Sequence, residues 1–260
     1  MRFLILGDVI GTPGVRAVTS ALKGLMRTHR ADFVVVNGEN SVDGYGINRT
    51  TAGQLFSSGA DVITTGNHVW RDEHVGELLT EEPRVLRPDN YPSGAPGSGV
   101  YIEERKSQRI AIINLQGRER MPRTECPFRR FRDIMKRLGS TVDYVIVDFH
   151  AESTAEKEAF AHYADGDATV VFGTHTHVQT ADERILPGGT AAITDVGACL
   201  PVPSVIGFNP EISQRRVLTQ LPLRNEVAQG AATIHGLVVE TAKERQKATS
   251  VERFQFRSLV

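Results

Sequence analysis

Two histidines two residues apart, in Gly173-Thr174-His175-Thr176-His177, are where chemistry first gathers in this chain. They follow Ala168-Thr169-Val170-Val171-Phe172, a run of β-formers that reads as a short buried strand ending in a polar loop. Past a strand end both imidazoles can turn their nitrogens into one pocket, and a neutral imidazole offers a lone pair near pH 7. Taken alone, such a pair reads equally well as packed or surface histidines. Four more strand-like runs end in the same kind of residue: Asp8, Glu39-Asn40, Asn67-His68 and His150. Each has a plain alternative, as a turn residue, a helix cap or a hydrogen-bonded core histidine. In parallel α/β sheets, however, ligand sites lie outside the carboxyl ends of the strands, where five such loops converge. Asp8, Glu39, Asn40, Asn67, His150, His175 and His177 are oxygen and nitrogen donors with no thiolate among them. That set suits a borderline first-row metal such as iron or manganese, with zinc as an alternative. It exceeds what one tetrahedral ion takes, and two ions bridged by a carboxylate fit the count.

The elements that must position these residues are legible around them. Arg2-Phe3-Leu4-Ile5-Leu6, Asp32-Phe33-Val34-Val35-Val36 and Asp61-Val62-Ile63-Thr64-Thr65 read as buried strands. Thr12 and Pro13 look like the N-cap and first position of a helix reaching about His29. The Gly-rich Asp43-Gly44-Tyr45-Gly46 leads to Asn48 as the cap of a helix to Ser58, and a helix over about 72–79 closes the half. This β-α-β-α-β-α alternation predicts a parallel sheet with helices on its faces. Residues 83–99 hold four prolines and three glycines and read as irregular loop before short strands at 99–102 and 109–115. A strand at 144–149 and a helix at 153–164 lead to the histidine pair. Strand-like pieces at 184–186 and 191–195, a Gly- and Pro-rich loop, a helix near 210–218 and a hairpin of 234–240 with 250–256 complete the chain. With no linker, repeat or low-complexity tract, one domain over 1–260 is expected.

Composition narrows the classes. Of 260 residues, 40% are hydrophobic and 23% charged, as in globular chains, and 30 Lys+Arg against 31 Asp+Glu give a net charge of −1. No global basic field therefore points to nucleic acid or a membrane surface. Locally, six arginines between Arg118 and Arg132 form a basic patch, read as a solvated face or as a contact for an anionic substrate or RNA. Cys126 and Cys199 are too few for a disulfide framework and lack zinc-ribbon spacing, which suits a reducing cytoplasm. The chain opens on a strand with no signal-peptide pattern, and its apolar runs are too short to span a membrane, so no membrane partner is expected. Neither a GxSxG elbow nor a GxxxxGK[ST] loop is present.

In order and spacing, Gly7-Asp8, Gly38-Glu39-Asn40, Gly66-Asn67-His68, His150 and Gly173-Thr174-His175-Thr176-His177 resemble the motifs of the calcineurin-like metallophosphoesterase superfamily. The departures are specific: Ile10 stands for the first motif's histidine, Glu39 for the bridging aspartate, Val69 for an acidic residue, and Thr174 for a histidine. Together they resemble the bacterial YmdB-like branch, associated with cyclic-nucleotide phosphodiesterase activity. The resemblance implies an αββα sandwich, two mixed β-sheets flanked by helices. It implies one metal on Asp8 and His177, a second on Asn67, His150 and His175, and Glu39 bridging both. Asn40 then restores, through its carbonyl oxygen, the donor lost at Ile10.

Two ions about 3.5–4 Å apart would make a shared water acidic and clamp the phosphoryl oxygens, so that hydroxide attacks phosphorus in line. His68, diverging from its neighbour Asn67, is placed as the general acid for the leaving oxygen. Asp72 or Glu73 is the expected orienting carboxylate, in place of the acid missing at Val69. Two divalent ions against Asp8, Glu39 and a hydroxide leave about one net positive charge, which matches a phosphodiester monoanion. The expectation is a dinuclear phosphodiesterase acting on cyclic nucleotides, 2′,3′-cyclic ones first. A broad phosphomonoesterase and a non-catalytic, metal-dependent RNA-binding or signalling module are the alternatives, and a homo-oligomer stays open.

Overall fold

The computed structural model of the chain describes residues 1–242 and 247–258. The first half alternates as expected: β1 (Arg2–Leu6), β2 (Asp8–Val9), α1 (Gly11–His29), β3 (Phe33–Asn37), α2 (Arg49–Ser58), β4 (Val62–Thr64), α3 (Val75–Glu81) and β5 (Val85–Leu86). A hairpin of β6 (Val100–Arg105) and β7 (Gln108–Gln116) opens the second half. There follow α4 (Pro127–Leu138), β8 (Tyr144–His150), α5 (Thr154–Tyr163), β9 (Val170–Thr174), β10 (Arg184–Ile185) and β11 (Ala191–Ile193). The chain then returns through β12 (Ala198–Pro201), α6 (Pro210–Thr219), β13 (Ala232–Thr241) and β14 (Ala248–Arg257).

Among the described residues these strands form two sheets. One runs β2-β12-β13-β1-β3-β4-β5, with β14 on the far side of β13, and the other runs β10-β11-β9-β8-β7-β6. Within the first, β1, β3, β4 and β5 are parallel and β13 is antiparallel to β1. In the second, β7, β8, β9 and β11 are parallel, with antiparallel β6 and β10 at its edges. Both sheets are mixed.

Strand alternation sorts the apolar side chains into three layers. Phe3, Ile5, Phe33 and Val35 meet Ile112, Tyr144, Ile146 and Phe172 of the other sheet, forming a core between sheets. The opposite faces, Leu4, Leu6, Val34 and Val36, pack on α1, α2 and α3. Ile113, Val145, Val147 and Phe149 pack on α4 and α5, with Phe149 and Phe160 stacked at 4.2 Å. Helix, sheet, sheet and helix follow one another, the predicted αββα sandwich. Among the described residues no helix is long and apolar enough to cross a membrane.

Four details depart from the expectation. Helix α1 starts at Gly11 with Ile10 as its cap residue, so Thr12 lies inside it. The Gly- and Pro-rich stretch after 195 contains β12, which bridges β2 and β13. The β6–β7 hairpin turns on Lys106 and Ser107, both at positive φ without a glycine to announce it. The Arg118–Arg132 patch is not one continuous field, because Arg130 pairs with Asp89 and Arg132 with Asp167, each at 2.6 Å. Asn48, by contrast, caps α2 as read, in a capping box with Thr51.

Candidate metal centre

Because the parallel strands of both sheets end on the same side, their terminal loops face one another. Asp8 opens β2, Glu39 and Asn40 follow β3, Asn67 and His68 follow β4, His150 ends β8, and His175 and His177 follow β9. All seven expected donors are thereby brought to one place, together with His68. Asp8, Glu39, Asn40 and His150 are fully buried there.

The densest point is Nε2 of His150. It lies 3.0 Å from Asn67 Oδ1, 3.1 Å from Glu39 Oε1 and 3.1 Å from His175 Nδ1. Outer contacts fix the tautomers. Thr174 Oγ1 donates to Asp148 Oδ1 (2.7 Å), so at 2.8 Å it accepts from His150 Nδ1. Glu152 Oε2, 3.2 Å from His175 Nε2, accepts from that nitrogen. Both facing nitrogens, His150 Nε2 and His175 Nδ1, are left with lone pairs. Four lone-pair atoms therefore point at one small space, an arrangement that repels itself unless a cation or a proton sits inside it. Glu39, His150 and His175 each offer a ligand atom, and these atoms all lie within 4.8 Å of one another.

The second group lies on the other side of Glu39. Asp8 Oδ2 accepts from the His175 amide at 3.3 Å, while its Oδ1 is buried with no hydrogen-bond partner. His177 Nδ1 donates to the Ile206 carbonyl at 3.2 Å, which leaves Nε2 for a ligand, 3.9 Å from Asp8 Oδ1. Asn40 occupies the expected position, but its Nδ2 faces His177 Nε2 (3.1 Å) and its Oδ1 faces His68 Nδ1 (2.7 Å). A half-turn of the amide would exchange the two atoms at these positions.

Electrostatics describe a pocket prepared for positive charge. Burial pushes the Asp8 carboxyl well up, and Glu39, Asp195 and Asp148 add to that against His150. Burial also pushes Glu39 up, but His150, His68 and His175 outweigh it and hold that carboxyl at about 2. The His150 ring, lowered by burial, is carried to about 9 by Glu39, Asp8 and Asp148. His175, lowered by burial and by His150, stands at about 3. Without a cation the His150 ring keeps a second proton against Glu39, and the buried Asp8 carboxyl keeps an orphaned oxygen, places a bound cation would take. These residues fit divalent metal ions.

Close packing explains two of the motif glycines. A Cβ on Gly66 would sit 2.2 Å from His150 Nε2 and 2.3 Å from Glu39 Oε2, inside the centre itself. On Gly173 it would meet the Thr194 carbonyl at 1.7 Å. Thr174, where the superfamily pattern has a histidine, lies behind His150 instead of beside it. Asp148, fully buried and pushed up to about 6 by burial against His150, anchors this support through Thr174, Thr64 (2.5 Å) and Asn37 (2.9 Å).

Above the centre opens a cleft of about 370 Å³ bordered by Tyr45, His68, Glu152, Ile206 and Phe208. His68 is oriented by Asn40 and by Glu39, whose Oε1 is 3.5 Å from Nδ1 and whose Oε2 accepts from the His68 amide at 3.2 Å. Neither Asp72 nor Glu73 does this: Asp72 caps the His74 amide and Glu73 pairs with the His74 ring. The Tyr45 ring meets His68 edge-on at 5.1 Å and stacks with Phe208 at 5.6 Å. Tyr45, Glu152, Ile206 and Phe208 have no motif signature; only the Gly-rich loop around Tyr45 hinted at a close approach. A groove of about 770 Å³ between α1 and α2 contains none of these residues.

A family model described as YmdB-like protein matches residues 4–254. The chain is 41% identical, over 97% of its length and 96% of the relative's, to the 2′,3′-cyclic-nucleotide 2′-phosphodiesterase of Bacillus subtilis strain 168. It superposes on the crystal structure of a novel phosphatase from Mycoplasma pneumoniae with a TM-score of 0.93 and 35% identity, covering 99% of this chain and 94% of that one. A distant likeness, at 10% identity and a TM-score of 0.56 over 100% of this chain and 90% of the other, joins it in fold to the calcineurin-like phosphoesterase YfkN of Bacillus subtilis. Matched almost end to end by the family model, and 41% identical to a relative over 97% of its length, the chain belongs to the YmdB-like family.

Proposed function

We propose that the protein is a dinuclear metal-dependent phosphodiesterase that opens 2′,3′-cyclic nucleotides at the 2′ ester, leaving a 3′-monophosphate. The observation that carries this is the gathering of donors around His150 Nε2 beside the orphaned Asp8 oxygen, in a chain so similar to a named 2′-phosphodiesterase. Asp8 and His177 would hold one ion, with Asn40 joining them after the half-turn that brings its Oδ1 round, and Asn67, His150 and His175 would hold the other, with Glu39 between them. Iron or manganese suits this nitrogen and oxygen set, with zinc next. When bound, such a pair supplies an acidified water and charge neutralisation at phosphorus.

The chain's own residues do the rest. Asn40, packed against Nδ1 of His68, turns Nε2 toward the cleft, from where the imidazolium would protonate the departing 2′ oxygen. Burial keeps the ring's pKa below its ordinary value against the pull of Glu39, which favours giving up that proton. Tyr45 and Phe208 wall the cleft with aromatic surface, a stacking face for a base. The strained cyclic diester needs little further distortion to open. The two unpaired cysteines, Cys126 and Cys199, agree with a cytoplasmic setting.

Kinetics on 2′,3′-cyclic nucleotides and simple phosphomonoesters, run side by side on metal-loaded enzyme, test the proposal. A higher kcat/KM on the cyclic diesters, with a 3′-monophosphate as product, is expected. A preference for monoesters would instead favour a phosphatase, the activity by which the Mycoplasma pneumoniae relative is described.

A further inference from the structure

Beside Tyr45 lies a second groove, of about 480 Å³, with none of the metal donors in its lining. Tyr45 lines both this groove and the cleft over the centre, so the two adjoin at Tyr45. Three arginines face it: Arg71, from the 3-10 turn Val69–Arg71 that follows His68; Arg216, from α6; and Arg224, from the loop after α6. None of the three makes an ion pair among the described residues. Asp43 is the one acidic residue lining the groove, so it carries a net positive charge. Asn225 lies there too, and its Oδ1 is buried without a hydrogen-bond partner, an acceptor awaiting a donor.

Guanidinium forks left free beside a nucleotide cleft match phosphate oxygens. A positive groove bordered by an aromatic stacking face is how proteins follow a single strand of nucleic acid. The acceptor on Asn225 adds a third element, since each ribonucleotide brings a 2′-hydroxyl donor beside its phosphate. A free cyclic mononucleotide has nothing to place in this groove. A nucleotide at the 3′ end of a chain has one: the phosphate on its 5′ side.

Resting on the phosphodiesterase reading above, we propose that the groove of Arg71, Arg216 and Arg224 binds that 5′-side phosphate, and that the preferred substrate is the 3′ end of an RNA carrying a 2′,3′-cyclic phosphate. The terminal nucleotide stacks near Tyr45 with its cyclic phosphate at the metal centre, and the preceding phosphate crosses Tyr45 to the arginines. Hydrolysis adds water across phosphorus and the 2′ oxygen, so the 2′ hydroxyl is restored and the end becomes a 3′-phosphate.

The test compares 2′,3′-cyclic AMP, the same nucleotide carrying a 5′-phosphate, and the dinucleotide ApA ending in a 2′,3′-cyclic phosphate. The expected result is a kcat/KM about 10–100-fold higher on the dinucleotide than on the bare mononucleotide, the size of one or two charge-assisted contacts. The double variant Arg216→Ala/Arg224→Ala should erase that gain and leave the rate on 2′,3′-cyclic AMP unchanged, which also shows that it is folded. Equal rates on mononucleotide and dinucleotide in the unaltered protein would overturn the proposal. So would a gain with the 5′-phosphorylated mononucleotide and none with the dinucleotide, which would make the groove a site for a terminal phosphate. If no cyclic phosphate is hydrolysed at all, the phosphodiesterase reading fails, and the groove is judged by anisotropy of a fluorescent ApA bearing a 3′-phosphate. Tenfold weaker binding to the double variant then upholds the groove, and equal binding overturns it.

Discussion

Asn40 Oδ1 lies 2.7 Å from Nδ1 of His68, a contact that ties the general-acid candidate to a residue of the metal centre. The amide holds the ring with Nε2 toward the cleft, the role expected of a carboxylate on the following helix. His68→Ala should therefore slow hydrolysis of a 2′,3′-cyclic nucleotide by about 10²–10⁴-fold, with metal content retained. The loss should shrink on a nitrophenyl diester, whose leaving group needs little protonation. Equal losses on both substrates would make His68 a positioning residue.

The gap opposite Gly66 gives a sharper test of the centre than removal of a ligand. A methyl at that position falls on His150 Nε2 and Glu39 Oε2, yet touches no part of the substrate cleft. Gly66→Ala should cut the metal content, expected at about two ions per chain, and abolish turnover. Elemental analysis after reconstitution checks it. A variant that keeps both ions would place the metals elsewhere.

His150→Ala should empty the position shared with Asn67 and His175 and lower kcat by at least about 10³-fold, since positioning and charge at phosphorus are lost together. His150 is fully buried at the last residue of β8, with Thr174 and Asp148 behind it. The fold should persist, because its three apolar layers do not include this residue. Circular dichroism with metal analysis reads both effects, and unchanged stoichiometry would remove His150 from the ligand set.

The donors were legible because each follows an uninterrupted β-run, and the parallel connections then force those ends together. What surrounds them was not. The Ile206 carbonyl that fixes His177 has no side-chain signature, and Glu152 is one half-buried acid among many. Tyr45 and Phe208 stack across 163 positions of sequence, a pairing only the folded chain creates. Strand β12 was hidden among glycines and prolines because its order comes from partners β2 and β13, not from its own composition. Asp72 was a reasonable orienter for His68 by distance along the chain, but it turns to the backbone of His74. Local spacing was a poor guide there.

Thr174 allows the outer support to be separated from the ligands. It bridges His150 Nδ1 and Asp148 Oδ1 at 2.8 and 2.7 Å and touches no substrate-facing surface. Thr174→Val keeps the shape and removes the bridge, so metal affinity should fall about 10–100-fold. Thr174→Ser should restore most of it. Competition titration with a chromogenic chelator reads the difference directly. Affinity unchanged in the valine variant would show that Asp148 needs no such link.

The loop bearing the histidine pair is held from beneath by a buried ion pair. Lys157 Nζ donates to Asp195 Oδ2 at 2.8 Å, with side-chain exposures of 3% and 0%. The same oxygen accepts from the amide (3.1 Å) and hydroxyl (2.6 Å) of Thr176, while Oδ1 accepts from Gly197 (2.8 Å). Thr176 stands between His175 at φ +97° and His177 at φ +63°, two conformations that non-glycine residues hold only under constraint. Asp195→Ala removes the constraint and leaves the buried Lys157 ammonium without its counter-ion, with only the Thr176 hydroxyl beside it at 3.3 Å, which should cost about 3–5 kcal/mol of stability. Lys157→Met keeps the volume and leaves Asp195 with three donors, so its cost should be smaller and its histidine loop nearer to native. Urea denaturation of both variants, paired with metal titration, separates the two effects. Asp195→Ala should lose affinity for metal as well as stability, and Lys157→Met mainly stability. If Asp195→Ala costs under about 1 kcal/mol, the pair is not what holds the loop.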